Sequence, residues 1–173
     1  MRALRGISYA LPVLAVLWMA GTSVLWASDE CPARPVAVRG DSLSPLLLDG
    51  MRVMMKPASC AGAVRRNDLV IFRTGALKQP VIKIARGLPG DRFAVDADGF
   101  IVINDAVLRN SAGVAYLLPV LQRTMLRGYQ EAYSGVIPAD TYLLLGDGTQ
   151  SVIDSVRLGL LHAKDFVMVG AYE

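Results

Sequence analysis

Two side chains in this 173-residue sequence could act as a nucleophile and its base without a histidine. The stretch VRGDSLSPLLLDG, residues 38–50, contains Ser42 and Ser44 beside an apolar run. Gly, Asp, Ser and Pro are the usual turn formers, so the stretch predicts a turn that presents a serine. Whether either serine is a nucleophile depends on the base that the rest of the chain supplies.

The candidate base is Lys83, which lies in the apolar segment PVIKIA. The single histidine, His162, follows an apolar run late in the chain, which makes a Ser-His-Asp arrangement a poor fit. A lysine can act as a base where an apolar setting depresses its pKa from about 10.4 towards neutrality. The alternative from this segment alone is an edge lysine that blocks aggregation or extends its amine to water.

Short strands separated by turn residues must position these side chains. Val, Ile and Phe are concentrated in segments bounded by Gly, Pro, Asp or Asn, with a hairpin signal at Asp98 and Gly99. This pattern predicts a mainly β fold with one compact antiparallel domain. The predicted strands are 51–56, 68–73, 80–87, 91–97, 100–105, 141–147 and 165–172. Residues 113–131 are predicted to be an irregular insertion or edge structure, because Pro119 argues against a continuous helix.

Residues 7–26 contain no charge over 20 positions, enough for a helix to cross roughly 30 Å of hydrocarbon. Arg2 and Arg5 precede this run, and Asp29 and Glu30 follow it, which predicts a cytoplasmic N terminus and an exported body. A cleavable signal peptide is the competing interpretation. Its apolar region is usually about 7 to 15 residues, and this run is longer and ends in LWAS.

The sequence therefore predicts two parts, a cytoplasmic tip with a transmembrane anchor over 1–27 and an exported domain over 28–173. Without the two arginines of the first part, 16 basic residues face 15 acidic ones, so the high isoelectric point reflects membrane topology. The exported part has no basic stripe with interleaved aromatic residues, which argues against a nucleic-acid partner.

Both cysteines of the chain, Cys31 and Cys60, fall in the predicted exported part, where an oxidising compartment would let them pair. A disulfide would close a loop of about 30 residues around the Ser42 stretch and stabilise the fold by roughly 3 to 4 kcal/mol. A pair of free thiols is the alternative. Two cysteines and one histidine are too few for a zinc site, so no metal is expected.

Three motifs occur in a characteristic order: Ser-Leu-Ser-Pro-Leu-Leu at 42–47, Ile-Lys-Ile-Ala-Arg-Gly-Leu-Pro-Gly-Asp at 82–91, and Gly-Asp with Asp-Ser at 146–147 and 154–155. Together with the anchor they resemble the type I signal peptidase family, the membrane-bound Ser/Lys endopeptidases of peptidase family S26. The Gly-Leu-Pro-Gly-Asp stretch is the most specific element. The resemblance implies a signal-peptidase-like β domain and a serine endopeptidase that uses no cofactor.

The resemblance also implies roles for individual residues. The family's nucleophile opens a Ser-Met-x-Pro motif, so it falls on Ser42, with Ser44 at the variable position. Lys83 matches the general base that takes the serine proton and returns it to the leaving amine. The oxyanion hole would use backbone N–H groups of Ser42 and of Gly40, two residues earlier.

The family's late box, Gly-Asp-Asn-x-x-x-Ser-x-Asp-Ser-Arg, is only partly present in GDGTQSVIDSVR. The matching residues, expected to support the dyad, are Gly146, Asp147, Asp154 and Ser155. The serine that would orient the lysine falls on Val152, with Ser151 adjacent. The arginine of the box falls on Val156, with Arg157 one place later, and the arginine that commonly follows the lysine is Ile84. These departures leave the supporting network open.

The resemblance implies a monomeric, single-pass enzyme of the bacterial inner membrane, whose periplasmic domain cleaves signal peptides from exported precursor proteins beside the lipid bilayer. The small size and single anchor resemble the branch of plasmid conjugation systems that processes pilin precursors, some members of which cyclise the pilin by aminolysis of the acyl-enzyme. General preprotein processing is one alternative. A catalytically lapsed β scaffold of a secretion or pilus apparatus is another.

Overall fold

The computed structural model describes residues 31–148 and 153–172. Within these residues the chain forms a seven-stranded antiparallel sheet of order β1-β2-β10-β3-β4-β8-β9 and a three-stranded sheet of order β5-β6-β7. The elements are β1 Arg34–Ala37, β2 Arg52–Pro57, β3 Leu69–Phe72, β4 Val81–Gly87, β5 Phe93–Val95, β6 Ile101–Ile103, β7 Ala106–Val107, α1 Val120–Ala132, β8 Thr141–Leu145, α2 Ser155–Leu158, β9 Leu161–His162 and β10 Phe166–Gly170.

The structure confirms the mainly antiparallel β fold, and each predicted strand overlaps an observed one. The hairpin predicted at Asp98 and Gly99 joins β5 to β6, and Gly99 has the positive φ of 99° that favours glycine. The strands β1, β7 and β9 were not predicted. β7 and β9 have two residues each, too few to show a pattern, and β1 contains Pro35, which weakens a strand signal.

The prediction for 113–131 is wrong in part, because residues 120–132 form the helix α1. Pro119 does not interrupt this helix but precedes it in an extended conformation, φ −61° and ψ 155°. A proline beside the first turn removes no intrahelical hydrogen bond. The helix buries Leu126 against the small sheet, and Gln130 accepts a hydrogen bond from Val95 N–H at 3.0 Å.

The strand that carries Lys83 lies inside the large sheet, since β4 pairs with β3 on one side and with β8 on the other. A buried apolar cluster beside it contains Leu43 and Leu47 of the Ser42 stretch together with Ile84 of β4. The residues flanking the candidate nucleophile are therefore packed against the strand that carries the candidate base.

The Gly-Leu-Pro-Gly-Asp stretch starts at the last residue of β4 and forms the turn that follows this strand. Asp91 N–H donates to the Leu88 carbonyl at 3.0 Å, and the Asp91 carboxylate accepts from Leu88 N–H, Arg66 and Asn104. Burial by itself raises the pKa of Asp91, but these donors outweigh it and hold the pKa below the usual value. The turn thereby joins the large sheet to the small one.

The predicted anchor, residues 7–26, lies outside the described part of the chain, as does the predicted boundary after residue 27. Among residues 31–148 and 153–172, no helix combines the length and the apolar character that a membrane crossing requires.

Candidate active site

Ser42 lies in a turn between β1 and β2 that buried leucines hold in place. Ser44 N–H donates to the Asp41 carbonyl at 2.8 Å, and Leu47 N–H donates to the Leu43 carbonyl at 2.8 Å. The side chain of Leu43 is fully buried and that of Leu47 almost so, whereas Ser42 is half-buried. The local sequence explains this arrangement, since turn-forming residues alternate with leucines that enter the core.

Lys83 reaches Ser42 from the middle of β4. Its Nζ lies 2.6 Å from Ser42 Oγ, a hydrogen bond that the ammonium donates when charged and that the hydroxyl donates when the amine is neutral. Lys83 is only 2% exposed, and its cross-strand partner on β3 is the fully buried Val70. The alternative of a solvated edge lysine is therefore wrong, because β4 is an interior strand and the amine points at a hydroxyl.

The setting of Lys83 favours its neutral form. Burial lowers the pKa of the amine from 10.5 to about 8, while the nearby carboxylates of Asp154 and Asp41 oppose the shift. At a pH near 8 a large fraction of the amine can therefore accept a proton, although a lysine in water would be almost fully charged. A lysine in this state has the chemistry of a general base.

The backbone of Ser42 is held by the segment that follows β8. Its carbonyl accepts from Asp147 N–H at 2.9 Å and from Gly148 N–H at 3.2 Å. The predicted supporting residue Asp147 therefore contacts the candidate nucleophile through its backbone. Gly146 lies one residue earlier, and its carbonyl accepts from the Tyr116 hydroxyl at 2.7 Å. Burial raises the pKa of Tyr116 to about 12, so this hydroxyl remains a donor.

The carboxylate of Asp147 is fully buried and has partners from three segments. It accepts from Arg86 Nη2 at 2.7 Å and forms a salt bridge with it. It also accepts from the N–H and the hydroxyl of Ser111, and at 3.3 Å from Leu46 N–H in the Ser42 turn. Asn110 donates to the Asp147 carbonyl at 3.0 Å.

Asp154 and Ser155 support the site from the start of α2. Asp154 caps this helix by accepting from Val156 N–H at 2.9 Å, and its carboxylate also accepts from Gly146 N–H at 3.4 Å. The buried Ser155 hydroxyl accepts from Leu144 N–H of β8 at 2.8 Å. Both residues thus hold the end of β8, and the charge of Asp154 acts on Lys83. Ser151, predicted to orient the lysine, lies outside the described residues.

Gly40 does not match its predicted part in an oxyanion hole. Its φ of 80° lies in the region that favours glycine, and its N–H donates to Asp49 Oδ1 at 2.7 Å. This hydrogen bond closes the two ends of the Ser42 stretch, so the Gly40 amide is not offered to a substrate here. A developing oxyanion would have to displace the Asp49 carboxylate to use it.

A disulfide joins Cys31 to Cys60, with 5.6 Å between their Cα atoms. The pairing encloses β1, the Ser42 turn and β2 in one covalent loop, as the sequence allowed. Within residues 31–148 and 153–172, no group of three or more His, Cys, Asp or Glu side chains is placed to hold a metal ion.

Sequence reasoning missed Arg86, Ser111 and Asn110. In a regular strand residues 83 and 86 point to opposite faces, but the pairing of β4 with β8 shifts register between Ala85 and Gly87. Such a bulge re-aims the inserted residue, here Arg86. The signal available in the sequence was an arginine at the end of an apolar strand segment. A guanidinium buried there would require a carboxylate partner.

Comparison with known proteins shows which proteins the chain is similar to. A model of the signal peptidase family, peptidase S26, matches residues 9–171. Signal peptidase I P of Bacillus subtilis subsp. natto is 28% identical over 141 residues, which cover 78% of this chain and 73% of that protein. Signal peptidase IB of Staphylococcus aureus strain COL is 26% identical over 153 residues, covering 83% and 78%. The crystal structure of a signal peptidase I from Enterococcus faecalis V583 matches 64% of this chain and 97% of its own, with 21% identity and a TM-score of 0.40.

Proposed function

Because this chain belongs to the signal peptidase family S26 and is a serine endopeptidase of the signal peptidase I type, we propose that Ser42 and Lys83 carry its catalysis. The observation that carries the proposal is the 2.6 Å contact between Lys83 Nζ and Ser42 Oγ at a buried amine. Burial lowers the pKa of the amine to about 8, which makes its neutral form, the state that the reaction requires, accessible near that pH.

In the proposed mechanism, neutral Lys83 takes the proton of the Ser42 hydroxyl as Oγ attacks the carbonyl carbon of the scissile peptide. The resulting tetrahedral intermediate carries its negative charge on the former carbonyl oxygen, beside the Ser42 N–H. Lys83 then gives the proton to the leaving amine, and the C–N bond breaks to leave an ester on Ser42. Water then attacks the ester carbonyl and gives a proton to Lys83. The ester C–O bond breaks as Lys83 returns this proton to Oγ, which releases the new C terminus as a carboxylic acid and restores the Ser42 hydroxyl.

The proposed substrates are exported precursors with an apolar targeting helix, followed by small residues at the first and third positions before the cut. The residues around the Ser42 turn fit a site at a lipid surface, since Leu48, Met51 and Met54 are apolar and about half exposed. We place the anchor at residues 1–27 and the catalytic domain at 28–173, on the periplasmic side of the inner membrane and as a monomer.

The narrower proposal, carried over from the resemblance of the sequence, is the processing of pilin precursors in a conjugation system. The relatives from Bacillus and Staphylococcus are named as signal peptidases, without mention of pilins. This favours general preprotein processing as the second candidate. Both candidates use the same acyl-enzyme. Water attacks it in preprotein processing, and an amine of the pilin attacks it where the pilin is cyclised.

Mass spectrometry of protein termini tests the proposal. Cells that carry the wild-type chain, S42A or no copy would be compared for the N termini of pilins and other exported proteins. We expect the wild type to generate new N termini after small residues, and S42A to match the strain without a copy. Pilin termini that change alone would support the conjugation role, and a circular pilin would show aminolysis. Cleavage that persists in S42A would overturn the assignment of the nucleophile.

A further inference from the structure

We propose that Asp147 is a buried hub that positions the nucleophile, and that Arg86 and Ser111 hold this hub in place. The inference rests on the proposed catalytic role of Ser42. It assigns a function to Ser111 and to its neighbour Asn110, which lie in the segment between β7 and α1, far from Ser42 in sequence.

The hub is connected to both ends of the turn formed by residues 42–46. Asp147 N–H donates to the Ser42 carbonyl at 2.9 Å, and the Asp147 carboxylate accepts from Leu46 N–H at 3.3 Å. One residue thus fixes the peptide group that follows the nucleophile and the far end of the same turn. A shift of Asp147 must move the backbone that carries Ser42 Oγ.

The hub is in turn fixed by donors that saturate its carboxylate. Oδ1 accepts from Arg86 Nη2 at 2.7 Å and from Ser111 N–H at 3.0 Å, while Oδ2 accepts from the Ser111 hydroxyl at 2.5 Å and from Leu46 N–H. A carboxylate offers about four such sites, so each is occupied. Asn110 adds a hydrogen bond to the Asp147 carbonyl.

Arg86 is itself held on its other side. Its Nη1 donates to Asn67 Oδ1 at 2.7 Å, which leaves the guanidinium in a fixed orientation toward Asp147. Arg86 is 7% exposed and Asp147 is not exposed at all. Charged hydrogen bonds in so dry a setting are directional and strong, so the hub transmits small displacements to the Ser42 turn.

Position matters for this reaction because the proton passes over a single short contact. Misplacement by about 1 Å can cost a factor of about 100 in rate when reacting groups must be aligned. The contacts of the hub are to the backbone that carries the nucleophile, so they bear on the chemical step more directly than on substrate binding. Loosening the hub should therefore lower kcat and leave KM nearly unchanged.

The test compares S111A with S111T and with S59A in the full-length chain in detergent. The probe is a fluorogenic peptide with an apolar stretch and alanine at the first and third positions before the cut. We expect S111A to lower kcat about tenfold with KM changed less than twofold, and S111T, which keeps the hydroxyl, to restore most of the rate. S59A alters an exposed serine and should match the wild type. Equal folded fractions by circular dichroism at the assay temperature are required.

Hydrogen exchange gives a readout that does not depend on turnover. In S111A the amides of Leu46 and Asp147 should exchange at least tenfold faster than in the wild type, whereas amides of β5, which lies on the other side of β6 from β7, should keep their rates. R86K keeps the positive charge but loses the planar guanidinium. In this variant the exchange rates of the same amides should lie between those of the wild type and S111A. A wild-type kcat in S111A would overturn the inference, whether or not the exchange rates change.

The outcomes separate this inference from the proposed function. If the wild type cleaves the peptide through Ser42 and S111A is equally active, the proposed function stands and the role of the hub is refuted. If the wild type does not cleave the peptide but the Leu46 amide exchanges faster in S111A, the structural role of the hub stands and the proposed reaction on this peptide is refuted.

Discussion

Lys83 and Arg86 are two buried cations three residues apart on the same strand, and their partners give them opposite properties. Lys83 contacts a neutral hydroxyl, and burial lowers its pKa to about 8. Arg86 contacts the carboxylate of Asp147 in a buried salt bridge. Desolvation disfavours both charges, but only the second is compensated by an ion at contact distance. Burial beside a hydroxyl thus gives an amine whose neutral form is accessible, as the proposed base requires, and burial beside a carboxylate gives a fixed structural contact.

Removing the reactive amine should have the largest effect. K83M keeps the length and apolar character of the side chain, so we expect a folded protein whose peptide cleavage falls by about a thousandfold or more. The measurement is kcat/KM with the fluorogenic peptide. K78M removes an exposed lysine and should keep the wild-type rate. Substantial cleavage by K83M would show that another group acts as the base.

Removing the fixed contact should instead destabilise the fold. R86M leaves the buried Asp147 carboxylate without its cation, which typically costs about 3 to 5 kcal/mol. Chemical denaturation should show this loss, while R92M, which breaks the exposed pair with Asp105, should cost little. The double variant R86M/D147N should lose less than R86M, because no unpaired charge remains. A stable R86M would mean that the two cations do not differ as argued.

The free energy of unfolding should also depend on pH through Lys83. The folded pKa of about 8 lies below the unfolded value near 10.5, so between these values the unfolded chain binds more protons. Stability should therefore rise as pH increases from about 8 to 10.5, by on the order of 3 kcal/mol. The measurement is urea denaturation across this range, for wild type and K83M. The rise should be absent in K83M, and an equal rise in both proteins would contradict the assigned pKa.

The smallest expected effect concerns the charge of Asp41. The pH-rate profile of the wild type should rise with an apparent pKa of about 8, as Lys83 loses its proton. D41N removes a carboxylate that favours the charged amine, so the profile should move to lower pH. Asp41 is exposed and screened by salt, so we expect less than about half a pH unit and less still at 1 M salt. D98N is the exposed control, and an upward shift in D41N would refute the sign.

The sequence predicted the strands better than the connections between them. Alternating apolar residues bounded by turn formers identify a strand directly, which explains the success for β2 to β6, β8 and β10. The helix α1 was missed because Pro119 was read as a breaker, whereas it stands just before the first turn. A proline has either effect depending on where the helix begins, and the pattern did not locate that start.

The candidate site was predictable where a residue's own neighbours determine its chemistry. Lys83 is flanked by apolar residues, and the resemblance paired it with Ser42, which the structure places within 2.6 Å. The Gly40 N–H was predicted to be part of the oxyanion hole, but it donates a hydrogen bond to Asp49. Nine residues separate the two in the chain, and only the closed turn brings them together.

The sequence by itself determined that an amine on an apolar strand and a serine in a leucine-anchored turn would exist, since strand alternation and turn chemistry are local properties. The tertiary structure decided that Arg86 would face Asp147, because a bulge in β4 breaks the alternation that the sequence implies. It also decided that Ser111 would reach the same carboxylate across 36 residues of chain. Such contacts depend on how two sheets pack, and no local pattern records that packing.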